Sequence, residues 1–198
     1  MLVGIFLAQY CINAMTWFFV SWFPSYLVNG RGYSILTAGL VAMLPALSGW
    51  LGSLCSGLFS DYLLKRTGSL TSARKIPITF GLVLSSVIIA CNYVQSQWLI
   101  VATMSLALFG KGVASGLVWT VIADTAPRRM IGLAGGVSNS FANFSGVVTP
   151  VVIGYILAAT RSFNDVLLYV SFNGLAAVVF YWLIVGPIQR LDINVEVA

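Results

Sequence analysis

Ile76 to Ala123 reads IPITFGLVLSSVIIACNYVQSQWLIVATMSLALFGKGVASGLVWTVIA. These 48 residues carry one charge, Lys111. The run is too long for one membrane helix, because about 20 apolar residues already span a bilayer core. Midway it is interrupted by Asn92-Tyr93-Val94-Gln95-Ser96-Gln97, with Trp98 behind it, and the interruption makes two helices of it. Working outward, Met1–Gly30, Gly32–Ser60, Met130–Thr160 and Val166–Gln189 carry no charge at all. The count is therefore six spans. Their expected limits are Leu2–Leu27, Thr37–Leu63, Ile76–Tyr93, Trp98–Ile122, Ile131–Leu157 and Val166–Val185.

The composition agrees. Of 198 residues, 59% are hydrophobic and 8% are charged, against about 25% charged in soluble domains. A soluble fold, a disordered chain, a coiled coil and a disulfide scaffold are all excluded, since each needs charge, heptads or cysteine that this chain lacks. With no His and only 5 Asp and Glu, most hydrolytic and metal chemistry is disfavoured. No nucleophile, base or metal-ligand cluster falls on one helix face, so the reading is not an enzyme, with no metal site and no cofactor. The net charge of +5 marks loops facing a lipid bilayer rather than a nucleic-acid surface.

An even number of spans returns both ends of the chain to one side. Lys65, Arg66, Arg74, Lys75, Arg128, Arg129 and Arg190 fall on that side; Arg31 and Arg161 fall on the other. Basic residues accumulate in cytoplasmic loops. The expectation is a multi-pass protein of a bacterial inner (cytoplasmic) membrane with both termini cytoplasmic. Trp22 and Tyr26, Tyr93 and Trp98, and Tyr181 and Trp182 lie near helix ends, where amphipathic rings prefer the interface, although packing between helices accounts for them equally. The N-terminus is unusual in that the apolar run begins at Leu2. No basic region precedes it and it is too long for a signal peptide. The expectation is that Met1 lies inside a longer ancestral chain, with an upstream segment or second polypeptide missing.

Cys11, Cys55 and Cys91 lie in three different spans and read as small packing residues. Asn143-Phe144-Ser145 matches a glycosylation sequon but sits in a span. Gly110-Lys111-Gly112 lacks the rest of a phosphate loop. Gly49, Ser53 and Gly57, then Gly112 and Gly116, then Gly132 and Gly136, recur every four residues, the pattern that lets membrane helices approach closely. Pro45 and Pro150 each remove a helix hydrogen bond inside a span, which suits a moving cavity as well as a static bundle.

Polar residues at membrane depth are costly and mark cavities or partners. Gln9, Asn13 and Thr16 share one face of the first helix. Gly132, Gly136, Asn139, Asn143, Gly146 and Pro150 share one face of the fifth. Either the two faces converge on a water-filled pocket for a polyhydroxylated solute, or they make interhelical hydrogen bonds alone. Lys111 sits roughly 18 Å from either end of the fourth helix, too deep to reach the surface. A lysine there costs about 2.5–3.5 kcal/mol to insert, so it faces water, a backbone carbonyl, a carboxylate or an anionic solute. No Asp or Glu of the chain lies at the same depth.

At the end of the second helix stands Gly57-Leu58-Phe59-Ser60-Asp61-Tyr62-Leu63-Leu64-Lys65-Arg66. It resembles the Gly-x-x-x-Asp-x-x-Gly-Arg/Lys-Arg/Lys loop motif of the major facilitator superfamily, with Tyr62 where a basic residue is common and Leu64 where the second Gly is expected. Gln9-Tyr10-Cys11-Ile12-Asn13, Trp22-Phe23-Pro24-Ser25-Tyr26-Leu27-Val28, Ala73-Arg74-Lys75, Phe109-Gly110-Lys111-Gly112 and Gly132-Leu133-Ala134-Gly135-Gly136 are similar to the anion:cation symporter branch, especially its glucarate, galactarate and galactonate transporters.

The resemblance implies that residues 1–198 form a single all-α domain of two inverted three-helix repeats. That domain corresponds to helices 7–12 of a twelve-helix transporter, the C-terminal half, with the N-terminal half absent. It also implies proton-coupled symport of sugar-acid anions by alternating access. Gln9, Trp119 and Asn139 would line the solute chamber, and Asn13, Lys111 and Asn143 join them by spacing and depth. Gly57, Asp61, Lys65 and Arg66 would act as a gating latch. The implied partners are lipid, a sugar-acid anion, a proton and a separate N-terminal half, with no nucleic acid. The alternative is a non-transporting membrane subunit or the remnant of a truncated transporter gene.

Overall fold

The computed structural model describes residues 1–191. Positions 192–198 of the expected 1–198 domain lie outside the described residues. Six helices are long and apolar enough to cross a membrane: α1 (Leu2–Gly30), α2 (Ile35–Thr67), α3 (Leu70–Asn92), α4 (Gln97–Thr125), α5 (Arg128–Thr160) and α6 (Phe163–Ile184). Among the described residues there is no strand. The chain is an all-α, multi-pass membrane protein.

The helices repeat as two triplets. Lengths run 29, 33 and 23 residues in α1–α3, then 29, 33 and 22 in α4–α6. In each triplet the middle helix is the longest and least buried. Because three crossings end on the opposite side from the start, the second triplet is inverted relative to the first. The links repeat too. Gly68 ends α2 with φ 63°, and Ser69 then caps α3, its Oγ accepting from the Ser72 N–H at 3.3 Å. Arg161 ends α5 with φ 53°, and Ser162 caps α6, accepting from the Asn164 N–H at 3.1 Å. A left-handed residue followed by a serine cap turns the chain back within two residues.

That turn corrects one expected boundary. The third helix begins at Leu70 rather than Ile76, so Arg74 and Lys75 are buried helix residues and not part of a loop. The rule that charges mark loops fails where the charges have partners. Arg74 Nε donates to Asp124 Oδ2 at 2.9 Å, and its Nη1 donates to Ser60 Oγ at 2.6 Å. Lys75 Nζ lies 5.3 Å from the centroid of the Trp182 ring.

α2 packs on α4, α3 on α4 and α6, and α1 on α5 and α6. Small residues set the closest crossings. A Cβ on Gly52 would overlap the Phe109 carbonyl oxygen, and one on Gly112 would overlap that of Gly49. Ser53 Oγ donates across the same crossing to the Gly112 carbonyl at 3.2 Å. The expected stripes are thus correct for Gly49, Ser53, Gly112 and Gly116, but Gly57, Gly132 and Gly136 meet nothing within 4 Å. The contact residues are Gly52 in α2 and Gly135 in α5 instead. The α1–α5 seam is aromatic, with Phe6–Phe141 centroids 5.8 Å apart and Tyr10–Phe144 centroids 6.3 Å apart.

Two aromatics expected at the interface are core residues, because Tyr26 and Tyr181 are fully buried, whereas Tyr93, Trp98 and Trp182 are exposed. Tyr26 is drawn inward by Arg31, whose Nε donates to its hydroxyl at 2.9 Å. The rest of that guanidinium bonds the Val94 carbonyl at 3.1 Å and the Cys91 carbonyl, capping the end of α3. Cys11 and Cys91 are packed inside, but Cys55 is exposed on the outer face of α2. Beyond α6 the chain folds back across the bundle end: Ile188 N–H donates to Thr71 Oγ1 and Leu191 N–H to the Thr125 carbonyl, both at 2.9 Å.

Candidate functional site

α1 and α4 are corresponding helices of the two triplets, and both are interrupted. α1 turns to π geometry over Phe18–Trp22, and α4 breaks at Leu117, where the Leu117 N–H reaches the Ala114 carbonyl at 3.4 Å. Counted from the helix starts, Leu117 falls where Trp22 does. Because the triplets are inverted, the two interruptions lie toward opposite sides of the membrane.

Beside the α1 interruption, α1, α2 and α4 line a partly open cavity of about 350 Å³. Thr16, Phe19 and Phe23 line it from α1, Pro45, Trp50 and Ser53 from α2, and Lys111 from α4. Among the described residues Lys111 has no hydrogen-bond or ion-pair partner. Gly110 and Gly112 on either side of it lie against the backbones of α3 and α2, which sets α4 close to both at this level.

The other amide-bearing residues are split between two places. On α1, Asn13 Nδ2 donates to the Gln9 carbonyl at 3.0 Å, and Thr16 Oγ1 to the Ile12 carbonyl at 3.5 Å. Gln9 Oε1 is buried without a hydrogen-bond donor. On α5, Asn143 Nδ2 donates to the Asn139 carbonyl at 2.9 Å, and both residues are exposed. Trp119 is 58% exposed. Its ring lies across α5 at Gly135, where a Cβ would come within 2.7 Å of it. Gln9, Asn13, Trp119, Asn139 and Asn143 do not line the Lys111 cavity. The chain presents a partly open cavity with Lys111 and Thr16, and separately an exposed polar face with Trp119, Asn139 and Asn143.

The loop motif is placed as follows. Gly57 faces open space, and Asp61, Lys65 and Arg66 are exposed, with Arg66 over the Tyr62 ring at 5.4 Å. Lys65 and Arg66 occupy the last turn of α2, where cations complement the helix dipole. Asp61 has no partner among the described residues. The acid that does pair is Asp124 on α4, which with Arg74 and Ser60 ties α2, α3 and α4 together at the end bearing the termini. Sequence reading missed this triad by placing Arg74 in a loop. The signal that locates it is the Gly68-Ser69 pair, a helix stop followed by a cap. No group of three or more His, Cys, Asp or Glu capable of holding a metal occurs among the described residues.

A family model described as Major Facilitator Superfamily matches residues 1–150. The chain belongs to the Major Facilitator Superfamily. Similar proteins include the "Probable galactarate/D-glucarate transporter GudP" of Escherichia coli (strain K12), 52% identical over 98% of this chain and 43% of that protein. The Bacillus subtilis (strain 168) protein of the same name is 53% identical over 96% of this chain and 42% of its own length. The "D-galactonate transporter" of Escherichia coli O6:H1 is 39% identical over 96% and 44%. The chain thus spans less than half the length of these relatives. Its superfamily and their names are those of transport proteins, not enzymes.

Proposed function

We propose that the chain is the second six-helix half of a sugar-acid carrier, equivalent to helices 7–12 of a twelve-helix facilitator, and that it supplies one wall of the solute chamber. One observation carries the reading: Trp119, Asn139 and Asn143 stand exposed at membrane depth on α4 and α5, next to Gly132 and Gly136, which none of the described residues covers. An amide with no partner in an apolar medium costs about 1–3 kcal/mol. Facing a second half across water, the same amides bond solute hydroxyls, and the indole stacks on the carbon chain.

The relatives' names supply the substrate class, anions of the glucarate and galactarate type. Alternating access follows from the family's architecture, with α1 and α4 bending at their interruptions as the halves rock. Proton coupling needs a group that gains and loses a proton within the membrane. Among the described residues Asp61 and Asp124 stand near helix ends and Asp165 in the first turn of α6, and in this proposal that group belongs to the other half. Seven basic residues on the side of the termini favour a cytoplasmic location for both ends, in a bacterial inner membrane. Membrane vesicles holding this chain alone should show no proton-dependent glucarate uptake, and co-expression with six upstream-type helices bearing buried carboxylates should restore it. Robust uptake by the chain alone overturns the proposal.

A further inference from the structure

We propose that the Lys111 cavity is a carboxylate-binding station, separate from the open amide face of α5, that takes an anion by its charged end before the hydroxyls reach Asn139 and Trp119. The inference rests on the transport reading above and refines where the anion first lodges.

The chemistry of the lining selects the ligand. Lys111 supplies a charge and up to three donors with no partner among the described residues. The two hydroxyls beside it already donate elsewhere, Thr16 Oγ1 to the Ile12 carbonyl and Ser53 Oγ to the Gly49 and Gly112 carbonyls, and offer a ligand only acceptor lone pairs. Phe19, Trp50 and Pro45 make the remaining wall apolar. A polyol placed here would meet the Lys111 donors only as a neutral acceptor and would leave most of its other hydroxyls against an apolar wall. A carboxylate instead forms a charge-assisted hydrogen bond to the ammonium, and an adjacent hydrocarbon chain rests against the rings.

The placement separates this cavity from the amide face. Trp119 lies eight residues beyond Lys111 on α4, about 12 Å along the axis, and the break at Leu117 falls between them. Side chains on a helix lean toward its N-terminus, so Lys111 points away from Trp119. With the termini cytoplasmic, the cavity lies on the outer half of the bundle, between the outer parts of α1 and α2. An anion entering from outside meets it first.

The test is equilibrium binding to the full chain in lipid nanodiscs. The probes are adipate, a dicarboxylate of the same carbon length as glucarate without hydroxyls, then glucarate, and glucitol, the uncharged polyol. Adipate should bind, glucitol should not compete with it, and Lys111→Gln should weaken adipate at least tenfold while Lys111→Arg retains most of the affinity. Lys111→Gln removes an unpaired cation and should melt no lower than the parent, so loss of fold does not imitate the result. Absence of adipate binding, competition by glucitol, or equal adipate affinity in Lys111→Gln overturns the station. Failure of the sugar-acid reading looks different: adipate binding then depends on Lys111 as stated, while glucarate binds no better than adipate.

Discussion

Replacing Gly52 by Ala adds one methyl group where α2 crosses α4, and the structure fixes what that methyl meets. It overlaps the Phe109 carbonyl oxygen and comes within 3.0 Å of the carbonyl carbon, both backbone atoms that cannot rotate aside. Gly57, on the same helix, opens onto empty space. Alanine is favoured over glycine in a helix by about 1 kcal/mol, so Gly57→Ala should stabilise by up to that amount. At Gly52 the same gain is opposed by overpacking, about 1–3 kcal/mol. Separating the helices also loosens the Ser53–Gly112 hydrogen bond of 3.2 Å, worth about 1 kcal/mol. Gly52→Ala should therefore be destabilising by about 1–3 kcal/mol, and the two variants should differ by about 2–4 kcal/mol. At about 2–4 °C per kcal/mol for a chain of this size, that is a gap of about 4–16 °C in Tm. Thermal melts of the detergent-solubilised chain, followed by tryptophan fluorescence, measure it. If Gly52→Ala melts with Gly57→Ala or above it, the α2–α4 crossing is not the close contact described.

Arg74→Ala leaves Asp124 facing a largely buried site without its cation, at a cost of about 3 kcal/mol; the double change Arg74→Met with Asp124→Leu should melt higher than either single change, and a lower melt would refute the pairing. Arg161→Gly should relieve the left-handed conformation at the end of α5 and raise stability by about 1 kcal/mol, while Gly68→Ala at the matching turn should lower it by a similar amount; melts of the two variants must move in opposite directions. Reporter fusions at Ser69 and at Gln95 should report opposite sides of the membrane, with Ser69 cytoplasmic, and the six-helix topology fails if both report the same side.

Much of the bundle was legible because lipid is an unforgiving solvent. Long uncharged runs between charged links give the six spans directly, and the Asn92–Gln97 interruption separates α3 from α4 where length alone does not. The boundary error at α3 has a single cause. Arg74 and Lys75 look like loop charges until Asp124, Ser60 and Trp182, far away in sequence, are brought against them. The small-residue stripes were half legible for a similar reason: spacing gives a helix face but not whether another helix lies on it. Gly112 and Gly57 carry the same local pattern, yet only Gly112 meets a neighbour. The candidate site divided in the same way. Lys111 stands out in sequence as a charge at mid-span, whereas the α1 and α2 residues around it depend on which helices adjoin.

The sequence by itself determined the class of protein, the number of crossings and the side on which basic residues gather, because burial in hydrocarbon acts on each residue one at a time. Only the tertiary structure decided which glycines are contacts, which arginine is neutralised, and which polar residues line the Lys111 cavity. Those outcomes depend on pairs of groups distant in the chain, and pairing energy does not exist until the helices meet.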